Sequence, residues 1–208
     1  MMQLYYSPGA CSLAPHIVCE WLKVPYTLVL ADRNDPVFQR INPLLAVPAL
    51  VSPEIGTLTQ CGAILRYLCT LPGGAVLGAD PLNASEVRAF DFWECFLTGD
   101  VHPSFFPFFG PQRFTTDTSA EALAHVRAAS PALVERVFQV LDTQLAGQPY
   151  IVGERLSIMD AYATPMLRWA KTGLPATFDK FPHLMRYYQS LCQNPGVLSA
   201  MAQQEIKP

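Results

Sequence analysis

A chain of 208 residues, half of them apolar and 15% charged, can bury a sizeable core and make one ordinary domain or two small ones, which excludes a disordered polar chain. A formal net charge of −3 without any run of Lys or Arg argues against nucleic acid as the main partner. No apolar stretch reaches the roughly 18 residues of a membrane span, and the opening MMQLYYSPGA lacks the basic and apolar regions of a secretory leader, so no membrane partner and a cytoplasmic location are expected.

QLYYS (3–7) is a short β-type run closed by the turn pair Pro8-Gly9. From Ser12 to Lys23 apolar residues recur at helical spacing, with Pro15 in the first turn where a missing N–H is tolerated. Val24-Pro25 ends that helix, and YTLVLA (26–31) reads as a second strand. Residues 36–42 suit a short helix before Asn42-Pro43. VPALV (47–51) is a third strand entered through a proline, a setting that suits a cis bond without establishing one. TLT (57–59) is a fourth strand, followed by the helix QCGAILRYLCTL (60–71).

The order βαβαββα defines an α/β unit over residues 1–72. A Pro/Gly-rich linker over 73–85 follows, and 86–208 is helical throughout. Ser85 is placed to cap a helix running to about Pro103. Ser119 caps another, with Pro131 as a kink or break and Gly147 as a stop. Residues 157–171 and 182–196 make two more. Ser157 and Asp160 have the S-x-x-D spacing of a capping box, which predicts a structural role.

Six cysteines stand at Cys11, Cys19, Cys61, Cys69, Cys95 and Cys192, with no CxxC pair. They are expected to be free thiols of a reducing compartment, and Cys and His do not cluster at zinc-ligand spacing, so no metal is expected. Cys11 is distinctive because it lies between the first strand and the first helix. Helix amides and the helix dipole there favour a thiolate. The competing reading is a small buried apolar side chain.

The strings LYYSPGACSLAPHI, INP…VPALV, LTQCGAILRYL and LSIMDAYA, in this order and spacing, resemble a bacterial glutathione transferase of the beta class over nearly the whole chain. The resemblance implies a thioredoxin-like N-terminal domain, an all-α C-terminal domain, and a homodimer with the active site near its interface. It implies glutathione as co-substrate and a small hydrophobic electrophile as second substrate. The family's catalytic cysteine matches Cys11, and its nearby hydroxyls match Tyr6 and Ser12, the latter able to donate from side chain or amide. Val47-Pro48 matches the backbone edge that pairs with the cysteinyl part of glutathione.

Some positions depart from the family's pattern. Where the family reads the γ-glutamyl end with an acid and a hydroxyl, this chain has Gln60 and Cys61. The Cys61 amide at a helix N-terminus can still bind a carboxylate. Leu44, Leu45 and Ala46 fill a segment that is Lys-Gly-Gln or similar in many relatives, and Arg33 or Arg40 could compensate for the lost charge. His102 matches a histidine beside the family's substrate cleft, though Pro103 replaces a following lysine. PSFFPFFGPQRF (103–114) carries five phenylalanines. Such density suits an apolar cleft wall, with Phe105, Phe106 and Phe109 as candidates, or else core and dimer contact. Trp169 falls where relatives line the same cleft. Two functions follow from the resemblance. One is an enzyme that conjugates glutathione to electrophiles in detoxification, or exchanges thiols and disulfides through Cys11. The other is a binding module of the same fold with little catalysis. A glutathione-dependent isomerase or dehalogenase shares the fold, and the sequence does not choose it or exclude it.

Overall fold

The computed structural model describes residues 1–208. Its first seven elements are β1 (Met2–Tyr6), α1 (Leu13–Leu22), β2 (Tyr26–Leu30), α2 (Pro36–Ile41), β3 (Ala49–Ser52), β4 (Gly56–Thr59) and α3 (Cys61–Cys69), in the predicted βαβαββα order. The sheet runs β2-β1-β3-β4, with β1 parallel to β2 and the other two pairs antiparallel. The two-residue period of β1 sets its layers. Leu4, opposite Leu28 and Leu50, joins the large core with Leu13, Ile17 and Ile64 from α1 and α3. Tyr5 points the other way and stacks on Phe38 of α2 with ring centroids 5.5 Å apart. The ladder of β3 begins at Ala49, two residues later than predicted; Pro48, which has no amide to donate, lies outside it, and the Val47–Pro48 bond is cis.

The Pro/Gly-rich stretch after α3 is tied down. It contains a 3₁₀ turn at Ala75–Leu77, Leu77 is buried, and Arg155 donates to the carbonyls of Val76 and Gly78 while pairing with Glu86. Helix α4 (Ala84–Phe96) starts one residue before the expected cap. Asn83 is extended and accepts the Glu86 amide at 3.2 Å, whereas Ser85 is already helical and donates to Asn83. The helix does not run unbroken to Pro103. It widens into a π-turn at Leu97–Val101 and resumes as α5 (His102–Ser104), a local irregularity common where a helix serves a site.

Then come α6 (Phe106–Phe109), α7 (Ala120–Ala128), α8 (Ser130–Gln144) and α9 (Ile158–Gly173). Ser119 caps α7 by accepting the Ala122 amide, and the break before Pro131 separates α7 from α8 as expected. Helices α10 (Pro175–Phe178), α11 (Pro182–Leu191) and α12 (Pro195–Gln203) complete the chain. The sequence reading missed α10 and α12. Asn194-Pro195 carried the signal for α12: the Asn194 side chain accepts the Gly196 and Val197 amides, with Pro195 at the first helical position. Helices α9 and α12 pack on α1, and one continuous core joins the α/β part to the helical part. No helix is long and apolar enough to cross a membrane.

The capping box anchors α9 in that core. Asp160 is fully buried and accepts from the Ser157 amide (2.7 Å), the Ser157 hydroxyl (2.7 Å), the Ile151 amide (3.0 Å) and the Tyr187 hydroxyl. Ser157→Ala should cost about 1–2 kcal/mol, the range for a lost cap. Asp160→Ala strands several buried donors and should cost at least about 3 kcal/mol. Urea unfolding of both variants checks the ranking, and equal losses would show that the carboxylate does no more than the cap.

Candidate active site

A cleft of about 1060 Å³ opens between the α/β part and the helical part. Its floor is the Pro8–Cys11 loop joining β1 to α1. One wall is the 44–48 segment with the start of α3, and the other is built from α4 to α6 and α9. The loop is held from a distance. Gly9, at φ +68, donates its amide to Gln204 Oε1 (3.0 Å) and accepts from Trp169 Nε1 at its carbonyl (2.7 Å). Gln204 Nε2 in turn donates to Nδ1 of the fully buried His16 (2.9 Å), which burial keeps below the usual histidine range and therefore neutral. A side chain at Gly9 would meet both a left-handed backbone and Arg168, whose Nη1 lies 2.9 Å from the Cβ position. Gln204 and His16 were not candidates from sequence. No local motif marks a contact made across nearly the whole chain.

Cys11 sits where it was predicted, yet in a different state. The amides of Cys11 and Ser12 favour its thiolate, but the side chain is buried, and burial pushes the thiol up to about 12. A helix end contributes about 1 kcal/mol, less than the desolvation of a buried charge. The thiol is therefore protonated at neutral pH and donates to the Val47 carbonyl at 3.2 Å. Burial thus opposes the thiolate that the helix start favours.

Tyr6 does not line the cleft, and its hydroxyl makes no hydrogen bond; it ends β1, where its carbonyl accepts the Ala31 amide. The Ser12 hydroxyl is also turned away. It accepts the Ser7 amide (3.2 Å) and donates to the Ser7 carbonyl (3.3 Å), closing the loop, so only the Ser12 amide faces the sulfur.

Val47, Pro48, Gln60 and Cys61 all line the cleft. Gln60 precedes α3 at φ +72, and the buried Cys61 thiol donates to the Cys11 carbonyl at 3.6 Å. The Leu44–Ala46 segment is braced by Asn42, which donates to the Ala46 carbonyl (2.7 Å) and accepts the Leu44 amide (3.2 Å). Arg33 reaches the cleft and Arg40 does not.

On the helical wall, His102 Nδ1 lies 2.9 Å from the Tyr162 hydroxyl, and its ring packs against Phe106 and Trp169. Burial pushes it down to about 4, so it is neutral at physiological pH. It makes no hydrogen bond to Cys11. Phe106, Phe109 and Trp169 line the cleft, but Phe105 is wholly buried against Phe138 and Trp169. Phe108 takes its place at the wall, packed over Gly173, where a Cβ would come within 2.8 Å of its ring. The short α6 turn decides which rings face in, and composition alone does not show it. No group of three or more His, Cys, Asp or Glu is placed to hold a metal ion.

Comparison with known proteins matches both parts of the chain. The family pattern "Glutathione S-transferase, N-terminal domain" matches residues 4–75, and "Glutathione S-transferase, C-terminal domain" matches residues 100–195. Glutathione S-transferase GST-4.5 of Xanthomonas campestris pv. campestris is 34% identical over 81% of this chain and 82% of its own. The beta-class glutathione S-transferase of Sphingomonas chungbukensis superposes with a TM-score of 0.82 at 30% identity, covering 99% of this chain and all of that one. A sphingomonad glutathione S-transferase complexed with glutathione gives 0.80 at 30% identity over the same shares.

Limiting alkylation at neutral pH should label the exposed Cys95 before Cys11, and Cys11 labelling should still be rising above pH 9. Peptide mapping by mass spectrometry reads both, and Cys11 labelled first would contradict its burial. His102 is neutral in the folded chain down to about pH 4 but protonates near 6.5 once unfolded. Between these values the unfolded chain binds more protons, so stability present above pH 6.5 is lost as pH falls. His102→Gln should flatten that loss in denaturant titrations at pH 6.5 and pH 4; an unchanged slope would assign it to other groups.

Proposed function

Because the chain belongs to the glutathione S-transferase family, we propose that it conjugates glutathione to a small aromatic or otherwise hydrophobic electrophile, with Cys11 as a hydrogen-bond donor rather than as the nucleophile. The observation that carries this reading is the buried, protonated Cys11 thiol facing the Val47 backbone edge. Residues 1–72 form the glutathione-binding unit and residues 86–208 the co-substrate unit, joined by 73–85. The tripeptide lies along the Val47 edge. Its cysteinyl amide takes the Val47 carbonyl, and the Cys11 S–H turns to the glutathione sulfur. The γ-glutamyl end lies at the start of α3, against Gln60 and the Cys61 amide.

Glutathione's thiol then gives up its proton to solvent more readily, because the resulting thiolate accepts from the Cys11 S–H and the Ser12 amide. Fixed donors aimed at a developing charge are the strongest contribution a site of this kind makes. The thiolate attacks the electrophile against Phe106, Phe109 and Trp169, with neutral His102 steadied by Tyr162 beside it. Thiol–disulfide exchange would need an ionised, exposed Cys11, and burial opposes both. The enzyme works as a homodimer in the cytoplasm, in detoxification.

The test is conjugation of a chlorodinitrobenzene together with calorimetric titration of glutathione. Cys11→Ser keeps a donor and should retain activity within about tenfold. Cys11→Ala removes it and should lose roughly ten- to a hundredfold in kcat/KM, as for a lost donor to a developing charge. If Cys11→Ala matches the wild type, Cys11 has no part in the reaction. If Cys11→Ser is inactive while the wild type accumulates a mixed disulfide, Cys11 is the nucleophile.

A further inference from the structure

The charge inside the cleft runs opposite to that of the molecule. The chain is net negative, yet the charged side chains lining the cleft are Arg33, Arg113 and Arg168 against one acid, Glu94. Glu94 is engaged by Arg66. None of the three cleft arginines has a carboxylate partner: the ion pairs of the structure are those of Arg66, Arg155 and Lys180. Arg33 comes from the β2–α2 connection, on the side proposed for glutathione. Arg113 and Arg168 belong to the helical part, as do Phe108, Phe109 and Trp169.

Of these two guanidinium groups, that of Arg168 is anchored by backbone. Arg168 Nε donates to the Lys207 carbonyl at 2.8 Å, which lays Nη1 over Gly9 at the cleft floor, and its terminal nitrogens have no hydrogen-bond partner. Arg113 folds back over Gly110, with Nε 3.3 Å from where a Cβ would be, and its guanidinium has no partner either. A neutral apolar electrophile gains nothing from two unpaired cations. A planar anion gains charge-assisted hydrogen bonds that match the guanidinium fork, and the net positive cleft draws it in from solution.

We propose that the co-substrate is an aromatic electrophile that carries a carboxylate, its ring against Phe108, Phe109 and Trp169 and its anionic group on Arg113 and Arg168. This rests on the conjugation reading above. In the step itself the glutathione thiolate attacks the activated ring carbon. A carbon–sulfur bond forms, the carbon–halogen bond breaks, and the halide leaves with the electron pair. The thiol proton goes to solvent, and the carboxylate takes no part in the bond changes.

A chlorodinitrobenzoate and its methyl ester test the proposal, since they share ring and leaving group and differ in charge. With each rate divided by its uncatalysed rate with glutathione, the wild type should prefer the carboxylate about tenfold in kcat/KM, the scale of one charge-assisted hydrogen bond. Arg113→Gln and Arg168→Gln should each erase most of that preference, and added salt should reduce it in the wild type. Arg168→Lys, which keeps the charge, guards against a folding defect at the Arg168 site. Equal or better use of the ester by the wild type would overturn the proposal. So would an unchanged preference in both Gln variants, or a higher KM for glutathione with both electrophiles in Arg113→Gln, which would assign that group to the tripeptide. Tryptophan quenching by dinitrobenzoate, which lacks a leaving group, reads the anion site without turnover. Quenching no tighter than by its methyl ester sinks this inference alone, whereas failure to conjugate either chloride despite tight dinitrobenzoate binding sinks the conjugation reading alone.

Discussion

The site depends on one residue, Gly9, being held through the peptide groups on both sides of it. Gly9 donates to Gln204 near the end of the chain and accepts from Trp169 on α9. Neither partner belongs to the α/β part that carries Cys11. Buried backbone groups require partners, and here those partners come from the helical part. The loop therefore takes its shape only when α9 and α12 are docked on α1. The continuous core across the two parts has the same consequence. The cleft is a property of the docked pair rather than of either half, which is why its floor, its 44–48 wall and its helical wall come from segments far apart in sequence.

Docking also sets the electrostatics. Burial removes water from Cys11 and His102 alike, and His102 is covered by Tyr162 and Trp169 of α9. Both are thereby held in their neutral forms, the cysteine as a donor and the histidine as an uncharged ring. The helix end that favours a thiolate is present but outweighed, because a partial charge at a helix terminus acts on a group already stripped of solvent. A bound tripeptide bringing its own thiol into the same amides would meet preorganised donors with little rearrangement.

The fold was legible because its signals are local. The β-type run QLYYS, the Pro8-Gly9 turn, the capping box at Ser157 and Asp160 and the Pro131 break each act within a few residues. What failed were questions of facing and burial. Phe105 and Phe106 are adjacent and chemically identical, yet one is core and the other cleft, according to the turn of α6. Tyr6 and the Ser12 hydroxyl were assigned by position in a resemblance, and the direction of a side chain is not a property of position, whereas the Ser12 amide does face the sulfur. The acidity of Cys11 was read from the helix it begins, while its value follows from what covers it. Gln204 had no local pattern at all.

Two strained residues flank the Val47 edge, and the neighbours that hold them fix its shape. Leu45 has φ +54 and Gln60 φ +72, conformations that cost a side-chain-bearing residue about 1–3 kcal/mol each. Leu45 is held by Asn42, which binds the backbone on both sides of it and is itself buried. Gln60 is followed by Cys61, whose thiol reaches the Cys11 carbonyl across the cleft floor. A thiol is a weak donor, so the packing of α3 in the core does most of the holding there. The Leu44–Ala46 segment thus presents an uncharged wall to the cleft on a backbone that Asn42 braces. If the tripeptide pairs with backbone here, as proposed, the part of the wall that a peptide would read is the part that Asn42 holds in place.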